Sequence, residues 1–180
     1  PLFWLLATLG DYCMKSTKLL MCTLLILMPL KTNGKAPEQP ITEYYDGDTA
    51  TVTDTMFNQT DSRADFCVME AIDGKRIRNS IYDTNERTQG QGFRLLPYVT
   101  DREVKVQPMS VTLRCDTYYA APISALKHKA YPVKGIVSFS PKTDTRYLVK
   151  GEMNPEQSRV WIVEEVSGVV VTDIVTKLGK

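Results

Sequence analysis

The sequence predicts an all-β domain, an antiparallel β-sandwich or open barrel of about eight strands with at most one short helix. Three observations carry this. Residues 109–119 (MSVTLRCDTYY) alternate apolar and polar side chains, the period of a half-buried strand. Residues 133–175 read as four strand-like runs joined by short turns, which implies antiparallel pairing. Asp73-Gly74 sits between FCVMEAI and KRI and supplies the positive backbone angles of a two-residue hairpin.

Element by element, 49–57 (TATVTDTMF) alternates and reads as one strand. The hairpin follows, with FCVMEAI and KRI as its arms. Its alternation puts Glu70 outside and Cys67, Met69 and Ala71 inside. Residues 82–92 (YDTNERTQGQG) are polar without a period and read as a long loop. FRLLPYV (93–99) and REVKV (102–106) are short strand candidates, the first weakened by Pro97. In 109–119, Thr112, Arg114 and Asp116 belong outside and Val111, Leu113 and Cys115 inside. APISALKHKAY (121–131) reads as one or two helical turns between Pro122 and Pro132. Four strands close the chain: 133–141, 145–153, 159–166 and 169–175. The apolar run Val160-Trp161-Ile162-Val163 predicts a central strand covered on both faces. Alternation lets Tyr147 and Val149 share an interior with Val137 and Phe139.

The N-terminal region carries a different signal. Met14 is followed by Lys15 and Lys18 and then by an apolar run ending at Pro29 and Lys31, the pattern of a secretory signal peptide. The run is shorter than the roughly 20 apolar residues a membrane span needs. The reading is therefore 1–35 as upstream residues plus a signal-peptide-like segment, 36–49 as a linker, and 50–180 as a single β-sandwich domain. It implies an exported protein of the periplasm or cell envelope, with the membrane met only through the N-terminal segment.

The whole chain carries 22 Lys/Arg and 21 Asp/Glu. Beyond residue 35 it has no basic run longer than two residues, so nucleic acid is not an expected partner. Cys67 and Cys115 remain after the N-terminal segment. Both face the predicted core, where they form a disulfide or stand as two reduced core thiols.

Catalytic and metal constellations are sparse. His128 is the single histidine. Ser124 and Lys127 match Ser-x-x-Lys without the partner motifs of that chemistry. Asp46, Asp48 and Asp144 lack the spacing of a calcium loop, and no metal or other cofactor is expected. Asn58 and Thr60 match a glycosylation acceptor and read better as a polar turn; Gly90 and Gly92 read as loop glycines. The candidate binding surface is aromatic and basic: Tyr118, Tyr119, Lys127, His128, Lys129 and Tyr131, joined by Arg87 and Arg94.

Several segments together resemble a family of small uncharacterised, predicted exported or lipoprotein-like bacterial proteins. They are FCVMEAIDGKRI (66–77), GQGF (90–93), DREV (101–104), AAPISAL (120–126), VKGIVSFSP (133–141), YLVKGE (147–152) and VWI (160–162). The resemblance implies fold and compartment and brings no catalytic residues. It also implies a lipid-attachment cysteine, from which this chain departs: Cys22 lies inside the apolar run after Leu20-Met21.

From these readings the expected function is a non-catalytic binding or structural module of the cell envelope, its partner an envelope protein or glycan. The alternatives are a hydrolase-type enzyme using Ser124 and Lys127, or an inhibitor of an envelope enzyme acting through the 82–92 loop.

Overall fold

A computed structural model describes residues 46–126 and 128–179. The signal-peptide-like segment, most of the linker and Lys127 lie outside the described residues. Among those described, ten strands form two five-stranded sheets. The first sheet runs β10 (Val175–Leu178), β9 (Gln157–Glu164), β8 (Arg146–Glu152), β1 (Thr49–Thr53), β5 (Asp101–Lys105). The second runs β2 (Thr55–Phe57), β3 (Arg63–Ile72), β6 (Met109–Tyr119), β7 (Val133–Phe139), with β4 (Lys75–Arg76) also paired to β3. All pairs are antiparallel except β1 with β8. Both sheets are open, so the architecture is a sandwich and not a closed barrel.

The main core lies between the sheets. Val52, Val104, Tyr147, Val149, Val160 and Ile162 from the first meet Met69, Val111, Leu113, Val137 and Phe139 from the second. The expected sharing of one interior by Tyr147, Val149, Val137 and Phe139 is present, and the Phe139 and Tyr147 rings meet edge to face at 5.1 Å. Cys67 and Cys115 are directly opposite each other on β3 and β6, fully buried and joined by a disulfide. Gly151 of β8 passes over that bridge.

The hairpin at 73–74 forms as expected. Ile72 pairs with Lys75, and Asp73 (φ 47°) and Gly74 (φ 78°) take left-handed angles. The 49–57 run is not one strand. It divides at Asp54, β1 entering one sheet and β2 the other, so this residue turns a sandwich corner. Asp54 is fully buried and fully satisfied. Its carboxylate accepts from Met69 N (3.0 Å), Ser80 N (2.8 Å), Ser80 Oγ (3.0 Å) and both terminal nitrogens of Arg102 (2.8 and 2.6 Å).

The largest departure from expectation falls on 82–92. A helix, α1 (Ser80–Thr88), occupies most of the expected loop, so the described residues hold two helices where the sequence predicts at most one. Asn79 starts it, its side-chain oxygen accepting from Tyr82 N at 3.1 Å. The buried stripe of α1 is hydroxylated: Ser80, Thr84 and Thr88 lie four residues apart on one face. Their hydroxyls accept from the backbone N–H groups of Thr100 (2.8 Å), Tyr98 (3.0 Å) and Leu96 (3.2 Å). Four helical residues rise ~6 Å and two extended residues advance ~6.6 Å, so the ladders keep step. The expected strand at 93–99 is consequently an extended segment whose backbone bonds to helix side chains, not to a neighbouring strand.

Helix α1 and this segment cover the outer face of the second sheet. Phe66, Val68 and Ala64 of β3 pack there with Leu95, and Ile81 and Tyr118 lie against them. Glu70 does point to the outer face, as expected, but is buried there beside Arg114 and Lys134, at a register shift between Met69 and Ala71 that sets Ala71 opposite Thr112. Three further corrections concern the C-terminal half. The fourth strand begins at Val175, residues 169–174 contributing only a bridge from Val170 to Val163. Strands β7 and β8, though consecutive, belong to different sheets. Trp161 is only half-buried on the outer face, because β9 alternates there: Val160 and Ile162 face the core.

Candidate functional site

The aromatic and basic residues singled out in the sequence do not form one patch. Tyr118 and Tyr119 are adjacent on β6, and period-two alternation sends them to opposite faces. Tyr118 finishes the small core beneath α1 and donates from its hydroxyl to Asn85 Oδ1 at 2.8 Å. Tyr119 stacks nearly parallel to His128, ring centroids 6.2 Å apart. Arg94 is exposed in the 89–100 connection, and the Arg87 guanidinium lies 3.8 Å from the centre of the Tyr98 ring. The expected helix at 121–131 is α2 (Pro122–Ala125), a single turn with no buried side chain. Ser124 on it is half-exposed, and its proposed partner Lys127 lies outside the described residues.

The remaining pair, Lys129 and Tyr131, leads to a cleft that the sequence did not reveal. About 530 Å³ in volume, it opens at the end of the sandwich where β8 ends and β9 begins. One wall is Lys129, Tyr131 and Pro132, another the 154–155 turn, and the third the end of β10 with Lys177 and Leu178. Ser158, buried at its floor, donates from Oγ to the Tyr131 carbonyl at 2.8 Å and so fixes that loop to β9. Lys177 Nζ donates to the Pro132 carbonyl at 2.9 Å, tying β10 to the same loop. Lys129 Nζ stands 5.7 Å from the centre of the Tyr131 ring.

A second charged group sits on the outer face of the other sheet. Arg114 and Lys134 are cross-strand neighbours of like charge, an arrangement that costs stability on its own. The buried Glu70 carboxylate pairs with both, and Arg114 also pairs with Asp116. Burial alone would raise the Glu70 pKa. The hydrogen bond and charge of Lys134, with the charges of Arg114 and Arg76, outweigh it and hold the carboxyl below its ordinary range. These cations already have an internal counterion.

No family model, curated protein or solved structure matches this chain. Its chemistry must be read from the site itself. Among the described residues, no group of three or more His, Cys, Asp and Glu is placed to hold a metal ion, and no helix is long and apolar enough to cross a membrane. Asp46, Asp48 and Asp144 are exposed, and Asp144, at a left-handed φ of 54°, donates from its backbone N–H to the Thr49 carbonyl at 3.0 Å in a turn. Asn58 (φ 49°) donates to Asp65 Oδ2 at 2.8 Å in an exposed turn. The buried polar residues Asp54, Ser80, Asp83, Thr84 and Thr100 bond to one another or to nearby backbone, and hold the corner and α1 in place. The Tyr131 cleft differs: its described lining carries two ammonium groups and no carboxylate.

Proposed function

We propose that this chain is an exported, non-catalytic binding module of the cell envelope, a disulfide-braced sandwich that presents the Tyr131 cleft to a ligand. The observation that carries the reading is the Cys67–Cys115 bridge, buried between the sheets and joining neighbouring strands. Structural disulfides persist in oxidising compartments such as the periplasm and are rare in the cytosol. The N-terminal basic and apolar pattern supports the same compartment. Non-catalytic binding is supported by the way the buried acids are used: Asp54 and Asp83 are saturated by structural donors. The inhibitor alternative relies on 82–92 as a long loop, and α1 fills most of that stretch, which favours the binding-module reading.

The test is the thiol state in the producing cell. Cells are quenched in acid, and the protein is unfolded and alkylated without reductant. Peptides containing Cys67 and Cys115 are then read by mass spectrometry. Unmodified, bridged peptides are expected. Full alkylation of both cysteines would place the chain in a reducing compartment and end the export reading.

A further inference from the structure

We infer that the Tyr131 cleft is a site for a compact organic anion, a carboxylate or phosphate carried on a body about the size of one sugar ring. This rests on the binding-module reading and adds the ligand's chemistry. The volume of about 530 Å³ falls within the range of small-molecule sites. The charge is one-sided among the described residues: Lys129 and Lys177 line the cleft, and no described acidic residue does. An ammonium offers three donors. Lys177 uses one on the Pro132 carbonyl, which holds its head at the cleft and leaves two to give. Lys129 stands over Tyr131, so an anion between the lysines meets an aromatic surface alongside.

The contrast with the Glu70 cluster decides the choice. There, Arg114 and Lys134 are matched by Glu70 and Asp116. At the cleft, no described lining residue supplies a counter-charge, which leaves that role open to a ligand. The walls left over are apolar: Pro132, Pro155 and Leu178, the last 70 % exposed. They suit the uncharged body of the ligand, and the Asn154 side chain offers both a donor and an acceptor to hydroxyls. The frame is firm. Ser158 anchors the Tyr131 loop, and Gly179 N donates to the Glu156 carbonyl at 2.8 Å, so strand ends and loop hold one geometry.

The full chain, uniformly labelled with nitrogen-15, is titrated with glucuronate, glucose 6-phosphate and glucose at low salt. The two anions should shift the amides of 129–131, 154–158 and 177–179, while glucose leaves them in place. Stronger binding of glucuronate assigns a carboxylate ligand, and stronger binding of the phosphate ester assigns a phosphate one. Lys129→Ala/Lys177→Ala should weaken the anion response at least tenfold, with the dispersed spectrum of the folded chain retained. Lys129→Arg/Lys177→Arg should keep the response. Equal response to glucose, no shifts at these amides, or undiminished binding by the double alanine variant would overturn the site. The bridged-peptide measurement is independent of these titrations: a reduced protein that still binds glucuronate would sink the export reading and leave the anion site standing.

Discussion

Gly151 on β8 faces Cys115 on β6 so closely that a β-carbon on the glycine would lie 2.3 Å from the Cys115 sulfur and 2.7 Å from that of Cys67. The same carbon would meet the Arg159 carbonyl at 2.5 Å. The first sheet therefore packs directly on the bridge of the second, and only glycine permits it.

Gly151→Ala should destabilise the fold by about 1–3 kcal/mol, the usual cost of overfilling a packed core. Urea denaturation measures it. In a Cys67→Ala/Cys115→Ala background both sulfurs are gone, and the alanine at 151 should cost less. Equal cost in both backgrounds would mean that the Arg159 backbone, not the bridge, sets the constraint. The bridge itself spans 48 residues, so its loss should cost about 4 kcal/mol on the chain-entropy model.

Asp54→Ala should cost about 3–5 kcal/mol, because it strands the Arg102 guanidinium, which is 10 % exposed, and removes the acceptor for Met69 N and Ser80 N. Adding Arg102→Met should recover part of that loss. A double variant no better than Asp54→Ala would show that the backbone donors at the corner, not the ion pair, carry the effect.

Thr84→Val keeps the shape of the side chain and deletes the oxygen that accepts from Tyr98 N. An orphaned buried N–H costs about 1–3 kcal/mol, whereas Thr84→Ser should lose much less. A valine variant as stable as the parent would mean that water reaches Tyr98.

Glu70 supplies the pH dependence. Its folded-state pKa lies below the ordinary value, so the unfolded chain takes up the proton first as pH falls. The stabilisation is complete above the ordinary carboxylate pKa and disappears as pH drops through the depressed one. Glu70→Gln should lower stability at neutral pH and flatten this part of the acid limb, the two proteins converging in strong acid. Parallel stability curves across that window would count against the ion pairs with Lys134 and Arg114.

Trp161→Ala measures the outer face of β9. A fully buried Trp would cost about 3–5 kcal/mol; half-buried and near Arg159, this one should cost roughly half that, with Phe139→Ala as the fully buried comparison. A penalty as large as that of Phe139→Ala would mean that Trp161 is covered.

These residues also show where the sequence was legible. In β6 the side chains alternate cleanly, so Val111, Leu113 and Cys115 could be placed inside. Helix α1 escaped notice because its buried face is Ser80, Thr84 and Thr88, and a search for apolar periodicity passes over hydroxyls. The four-residue spacing after Asn79 was the available signal. Alternation put Glu70 on its face of the sheet but could not show its burial, which comes with the cross-strand cations Arg114 and Lys134. Nothing in the alternating run 49–57 marks Asp54 as a corner; its carboxylate is met by Arg102, 48 positions away. The grouping of the aromatic and basic residues differs from the linear one for a related reason. Tyr118 and Tyr119 follow one another but send their side chains to opposite faces, while Lys177 reaches the Tyr131 loop only because β10 pairs with β9.

The hydroxyl ladder joining α1 to the 96–100 segment has a consequence for motion. Each side supplies what the other lacks: the helix has no apolar stripe wide enough to dock alone, and the segment has no strand beside it. Neither should open without the other. In native-state hydrogen exchange, the amides of Leu96, Tyr98 and Thr100 should therefore exchange at one common rate with the interior amides of α1, as a single subglobal unit. That unit should release well before the bridged β3 and β6 strands. A helix and an extended segment, distinct to any assignment of secondary structure, would then count as one element on the timescale of opening.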